Sequence, residues 1–346
     1  VSLHVAVCGA GAFGRNHIRV YSQLGASAGV HLAAIVEPDA GRARALEAEL
    51  ASESAPGTER AGAVRFFPDV AAMLASVQRG ELRVDAASVC VPTSAHCAVA
   101  SRLLEAGVHV LVEKPIAGTL EEADRLIALA AKHERVLQVG HLERFNPAVL
   151  ALQPLLRGPM FFEAHRLSVF SPRSLDVDVV LDLMIHDLDI VLTLAQSPVD
   201  EVRAVGLPIL SAKTDIANVR VQFASGCVAN FTASRVSTER VRKLRFFQPH
   251  QYISVDYARQ DLLVIEVTPP DAAGAATAVQ ALPGLGITKP AVTPGEPLRL
   301  EIEAFVRAIG GSGEVAVTGT QAREALALAL AIQAAIAEHA SRPGLL

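Results

Sequence analysis

The strongest constraint on the fold lies in the first two dozen residues. Leu3-His4-Val5-Ala6-Val7-Cys8 is a short apolar run, Gly9-Ala10-Gly11-Ala12-Phe13-Gly14 follows at once, and Arg15 to Leu24 has helical character. A strand, a glycine-rich turn and a helix in that order open a βαβ unit. The first glycine permits the tight turn and the second lets the backbone approach a pyrophosphate. The third lets helix pack on strand, and the helix N-terminus attracts phosphates. A GxGxxG alone is a weak signal. In this setting it points to dinucleotide binding by Gly9, Gly11, Ala12, Phe13 and Gly14.

The alternation continues downstream. Leu32 to Val36 reads as a strand stopped by Glu37-Pro38-Asp39, and Ala40 to Leu50 as a helix. Residues 51–62 look like a loop. Val64 to Phe67 is a third strand, Asp69 to Ser76 a short helix, and Ala86 to Val91 a fourth strand ending at Pro92-Thr93-Ser94. A helix from about His96 to Ala106 stops at Gly107, and Val108 to Val112 is a fifth strand. Strands alternating with helices give a parallel sheet. Residues 1–117 are therefore expected to form an NAD-binding, doubly wound Rossmann domain. A helix Leu120 to His133 and a strand Val136 to Val139 carry the alternation further.

Residues 118–346 are expected to form a second, α+β domain, built on a large, mostly antiparallel open sheet, for which the family resemblance given below implies substrate binding and oligomerisation. Its predicted strands are Phe161 to Leu167, a hairpin of Ala217 to Phe223 and Cys227 to Ser234, then Lys243 to Gln248, Tyr252 to Tyr257 and Leu262 to Thr268. Val179 to Leu194 reads as a strong helix. Asp271 to Ala281 reads as a mobile loop, and Leu298 to Ile309 and Ala322 to His339 as closing helices that could return to the first domain.

Composition narrows the partners. The 346 residues suit two domains, with 51% hydrophobic and 19% charged residues. A net charge of −5 argues against nucleic acid or an acidic membrane surface as partner. Cys8, Cys90, Cys97 and Cys227 form no CxxC pair and read as free thiols of a cytoplasmic protein. The chain enters a strand directly, so no secretory segment is expected before the fold. Ala325 to Ala337 is too short to span a bilayer and is interrupted by Gln333, so it reads as a buried helix.

Several residues carry chemistry. Glu37, ending the second strand, suits both ribose hydroxyls of an adenosine and would repel a 2′-phosphate, so NAD is favoured over NADP; Arg42 and Arg44 soften that preference. Pro92 and Thr93 end the fourth strand at the same edge, where loops support a nicotinamide. His96 has two open readings, a cofactor neighbour or a residue of the next helix's first turn. Glu113-Lys114-Pro115 ends the fifth strand, which places an ammonium at the crevice of the sheet. A cis Lys114–Pro115 bond is a hypothesis of this reading.

In Asp182-Leu183-Met184-Ile185-His186-Asp187-Leu188-Asp189, Asp182 and His186 are four apart and share a helix face. A general base for alcohol chemistry, a buried structural pair and a metal site with Asp189 all remain open. Gly140 to Pro147 sits on a strand-to-helix loop. Arg166, Arg173, Arg235, Arg240, Arg242, Lys243 and Arg245 are locally basic and suit a phosphate-bearing substrate, with surface charge as the plain alternative.

These three marks, GxGxxG at Gly9 to Gly14, Glu113-Lys114-Pro115 and the Asp-x-x-x-His of Asp182 and His186, resemble the Gfo/Idh/MocA oxidoreductases over nearly the whole chain. The resemblance implies NAD(P) hydride transfer on sugars or related alcohols, with Lys114, Asp182 and His186 as the catalytic trio and no metal. Met184 stands where a small glycine is common in that family and is expected to narrow the pocket. His141 to Pro147, Asp182 to Asp189, Ala233-Ser234-Arg235 and Arg242-Lys243 further resemble a subgroup that oxidises the 3-hydroxyl of a UDP-linked N-acetyl sugar for lipid A biosynthesis.

The implied mechanism has His186 removing the hydroxyl proton and Lys114 steadying the same oxygen, with the two roles exchangeable and Asp182 orienting one of them. Arg144, Asn146, Arg166, Arg173 and Arg235 are the candidates for the diphosphate or sugar. A homodimer or homotetramer is expected, because a one-sided sheet needs a cover. The rivals are a dehydrogenase of a free sugar, inositol or sugar acid, and a non-catalytic NAD-bound sensor.

Overall fold

The computed structural model describes residues 2–25, 28–52, 64–170, 177–267 and 284–342. Two compact units emerge, Val1–His141 with Leu298–Arg323, and Leu142–Pro297 with Glu324–Leu346.

The first unit is a six-stranded parallel sheet. Its strands are β1 (Leu3–Cys8), β2 (Val30–Val36), β3 (Arg65–Phe67), β4 (Ala86–Val89), β5 (His109–Glu113) and β6 (Leu137–Gly140), in the order β3-β2-β1-β4-β5-β6. That is the doubly wound dinucleotide-binding order, with its switch point between β1 and β4. Val5, Ala6, Val7 and Cys8 are wholly buried, as are Val110, Leu111 and Val112, because helices cover both faces. The helices are α1 (Ala12–Leu24), α2 (Ala40–Ser52), α3 (Val70–Gln78), α4 (Thr93–Glu105) and α5 (Leu120–Lys132). Asp69 and Thr119 cap α3 and α5 by accepting from Ala72 N and Glu122 N.

The boundary expected at residue 117 needs correction. Val110 to Glu113 of β5 pair with Leu137 to Gly140 of β6, so the sheet's last ladder lies beyond it. The chain also returns here through most of a late helix, since Leu298–Arg323 belongs to this unit.

The second unit holds α6 (Pro147–Leu150), β7 (Phe161–Val169), α7 (Ile185–Ala195), β8 (Val199–Leu207), β9 (Ile216–Phe223), β10 (Val228–Ser237), β11 (Val241–Gln248), β12 (Gln251–Asp256), β13 (Asp261–Val267) and β14 (Leu285–Thr288). The strands form one eight-stranded sheet in the order β14-β13-β12-β11-β7-β10-β9-β8. Every neighbouring pair is antiparallel except β7 with β10. The hairpin read from Ala224-Ser225-Gly226 is present, with Gly226 at φ +85°. Alternation sends Phe162, Phe223, Phe231 and Phe246 into the core with Ile185, Leu188 and Val191 of α7. Two late helices complete the chain, α8 (Pro297–Ile309) and α9 (Gly319–Ala340), the latter divided between the units at Arg323. The loop read at Asp271 to Ala281 lies outside the described residues, as does most of the loop read at 51–62. No described helix is long and apolar enough to cross a membrane.

Candidate active site

The glycine loop is shaped by close approach. Gly9 takes φ +93°, and a Cβ there would lie 2.7 Å from the Cys90 carbonyl oxygen on the strand end beside it. A Cβ on Gly14 would lie 1.8 Å from the Gly9 oxygen, so the start of α1 seats directly on the loop. A Cβ on Gly11 would meet no protein atom within 4 Å, which leaves open space in front of the loop. Gly11 is the N-cap of α1 and offers no side-chain cap, so the first amides of the helix are left to a ligand. This is what a pyrophosphate requires, and Ala12 and Phe13 begin the helix that would hold it. Pro92 and Thr93 begin α4 after the neighbouring strand β4.

Glu37 is placed differently from expectation. Its Oε2 accepts from Ala10 N at 2.8 Å, its Oε1 from Asp39 N at 3.0 Å, and Arg42 Nη1 lies 3.2 Å from both oxygens. The carboxylate is almost fully covered and holds the loop's shape, while Arg42 is half exposed beside it. His96 also turns inward. Its Nδ1 and Nε2 each lie 2.9 Å from a backbone carbonyl, of Pro115 and Val91. It braces the two strand-end loops instead of presenting a nitrogen to a ligand, and burial pushes its pKa down.

The Lys114–Pro115 bond is cis, and Lys114 is half buried. Glu113, at the end of β5, acts as a strut within the fold. Its Oε1 accepts from His17 Nε2 at 2.8 Å, and Gly140 is needed because a Cβ there would lie 2.9 Å from that oxygen. His17 Nδ1 lies 3.1 Å from Ser88 Oγ, which lies 2.8 Å from Tyr21 OH. Behind them sits Glu301 of α8, fully buried, with neither carboxylate oxygen hydrogen-bonded among the described residues. Burial pushes its carboxyl well above the usual range, and Glu113 pushes the same way. Both effects favour its neutral form over the carboxylate. The sequence reading missed this network. Only the helical spacing of Gly14, His17, Ile18 and Tyr21, all buried, hinted that His17 faces inward.

On the second unit the acidic helix begins with a π turn, Val180–Met184, which runs into α7. Ile185 N donates to Val180 O, and Asp178 Oδ1 accepts from Val180 N and Leu181 N at 2.8 and 3.1 Å. Asp182 lies in this turn and His186 just after it, both half buried. π turns of this kind concentrate at functional sites. Met184, expected to narrow the pocket, is buried in the apolar core.

The arginines expected to hold substrate are mostly engaged by the protein itself. Arg166 donates through Nε and Nη2 to Asp187 at 2.7 and 2.9 Å, and through Nη1 to Glu143 at 2.8 Å. It lies over the Tyr257 ring at 5.2 Å. Burial would depress its pKa, but Asp187 and Glu143 outweigh that and hold it charged. Arg144 grips Asp189 with two hydrogen bonds, 2.6 and 2.9 Å. Arg235 donates to the Val177 carbonyl and lies 3.6 Å from Asp215. Asn146 caps α6 through Ala148 N and donates to the Tyr257 carbonyl at 3.0 Å. Arg173 lies outside the described residues. Arg144 and Arg166 thus clamp the helix that carries His186, through Asp187 and Asp189, two acids inside the very motif singled out above.

Residues 3–141 match the oxidoreductase family's NAD-binding Rossmann fold, and residues 161–249 match the Gfo/Idh/MocA C-terminal domain. A UDP-N-acetylglucosamine 3-dehydrogenase of Acidithiobacillus ferrooxidans is 37% identical over 337 residues, covering 97% of this chain and 98% of that protein. A solved structure of that enzyme from the same organism superposes with a TM-score of 0.85, over 99% of this chain and 100% of the other. An inositol 2-dehydrogenase of Corynebacterium glutamicum is 34% identical over 206 residues, 57% of this chain and 56% of the relative. The glycine loop and this full-length likeness agree: the chain belongs to the Gfo/Idh/MocA oxidoreductases, with NAD as the cofactor of its first unit.

Proposed function

We propose that the enzyme oxidises the 3-hydroxyl of UDP-N-acetylglucosamine to a ketone, as a step of lipid A biosynthesis. The observation that carries this reading is the 37% identity to a named UDP-N-acetylglucosamine 3-dehydrogenase across 97% of the chain. Bound NAD would supply the hydride acceptor for the sugar carbon. The amides of Ala12, Phe13 and Gly14 hold its pyrophosphate, with Gly11 leaving the space for it. His186 removes the hydroxyl proton, and Asp182 one turn earlier orients it. Lys114 donates to the oxygen as negative charge grows on it.

The outer face of the large sheet exposes Val205, Leu207, Phe247 and Ile287, which supports a homodimer or homotetramer built across it. Light scattering on the purified protein tests this; a monomer at micromolar concentration would refute it. All four cysteines are unbridged, which supports a reducing, cytoplasmic setting.

The activity test is NADH formation with a panel of sugars, pulled by an aminotransferase that consumes the ketone. NADH formed with UDP-N-acetylglucosamine and not with inositol or free sugars supports the reading. Turnover of inositol or a free sugar alone would overturn it.

A further inference from the structure

The nucleotide-sugar reading needs cationic donors for a diphosphate, and the structure removes most of those the sequence offered. Arg144, Arg166 and Arg235 are tied to Asp189, to Asp187 with Glu143, and to Val177 with Asp215. Arg242 of β11 is different. It stands directly opposite Arg166 of β7 in the ladder, and like charges facing each other across a sheet repel. Glu143 is the nearest carboxylate, but its Oε1 is engaged by Arg166 at 2.8 Å and lies 3.9 Å from Arg242. The Arg242 Nε is buried without a hydrogen-bond partner among the described residues, while the side chain as a whole is about one-third exposed (37%).

Arg240, on the turn into β11, is exposed and makes no ion pair among the described residues. Arg166, Arg242 and Arg240 together face Glu143 and Asp187, so this corner carries one positive charge in excess. Burial depresses the Arg242 pKa, and Arg166 and Arg240 depress it further, against Glu143. An anion arriving here relieves both repulsions on Arg242 at once. The corner is also tied to the chemistry, because Asp187, which Arg166 grips, immediately follows His186.

We propose that Arg242, assisted by Arg240, contacts the diphosphate of the substrate, an assignment that rests on the nucleotide-sugar reading above. Arg166 then serves as the fixed partner that holds Glu143 away from full neutralisation of Arg242. The ligand class is a diphosphate ester, and a lone sugar would leave the corner unfilled.

The test uses the full chain, with UDP and inorganic pyrophosphate as competitive probes against UDP-N-acetylglucosamine. In the wild type UDP competes with the sugar nucleotide. Arg242→Gln is expected to raise the substrate KM and the UDP inhibition constant by roughly ten- to a hundredfold, with kcat and NAD affinity held. Arg242→Lys recovers part of the loss, and it carries the test if the glutamine variant fails to bind NAD. Equal UDP inhibition in wild type and Arg242→Gln overturns the assignment while leaving the substrate reading intact. A wild type indifferent to UDP but inhibited by glucuronate overturns both.

Discussion

Removing Arg166 distinguishes a clamp from a ligand contact. Arg166 is 2% exposed and makes three charge-assisted hydrogen bonds, at 2.7, 2.9 and 2.8 Å. A hydrogen bond to a charged group contributes about 1.5 kcal/mol at the low end, so three would sum to roughly 4.5 kcal/mol. Deleting one member of a buried ion pair leaves the other charge uncompensated and typically costs about 3–5 kcal/mol. The two routes agree on about 4 kcal/mol, near a thousandfold in the folding equilibrium. Arg166→Met keeps the aliphatic stem and removes the charge, leaving Asp187 and Glu143 facing each other. The assay is urea unfolding, followed by fluorescence of bound NADH and by circular dichroism. The triple variant Arg166→Met with Asp187→Asn and Glu143→Gln should recover most of the loss, because neutral replacements restore balance. A loss below about 1 kcal/mol, together with a raised substrate KM, would refute the clamp and return Arg166 to the substrate.

Other outcomes follow from the same geometry. Lys114→Ala and His186→Ala should each lose about a hundredfold or more in turnover while NAD titration stays normal; near-wild-type turnover in either removes its role. Gly14→Ala should lower the melting temperature and abolish NAD binding, since its Cβ would lie 1.8 Å from the Gly9 oxygen, whereas Gly11→Ala should keep the melting temperature and lose NAD affinity alone; indistinguishable melting curves for the two would contradict the loop packing. Glu301 has a raised pKa in the fold, so its stabilising effect is full below about pH 4.5, its ordinary value, and declines as pH rises above it by about 1.4 kcal/mol per unit. Glu301→Gln should flatten that decline in chemical unfolding as pH is raised above about 4.5, and an unchanged slope would refute the raised pKa. Asp215 has the opposite sign. Its carboxylate accepts from Ile209, Leu210 and Ser211 amides and its pKa falls to about 2, so Asp215→Asn should destabilise above pH 4 and converge with wild type as pH drops through 2.

Local pattern carried the architecture, and distance hid the site's wiring. The strands of the first sheet were legible because burial on both faces makes them continuous apolar runs bounded by Gly, Pro and Asp. β8 was missed because Asp200, Glu201 and Arg203 interrupt its valines; as an edge strand it shows solvent much of its length. The proposed catalytic trio, Lys114, Asp182 and His186, came from motif and resemblance. The internal partners of the arginines were not legible because sequence displays an arginine's charge but not its partner: Asp187 lies 21 residues from Arg166, and Asp189 lies 45 from Arg144. The same holds for His17 and Glu113, which are 96 apart. Side chains with carboxylates behind them and side chains awaiting a ligand look alike until the fold closes.

The π turn at Val180–Met184 sets an angle that no side-chain exchange can reset. One extra residue wound into a helix advances everything before it by about 100° around the axis. Asp182 therefore keeps its bearing relative to His186 through a count of residues, independent of which residues they are. Losing one residue from this stretch would let the helix run evenly and swing Asp182 about a quarter-turn off its present heading.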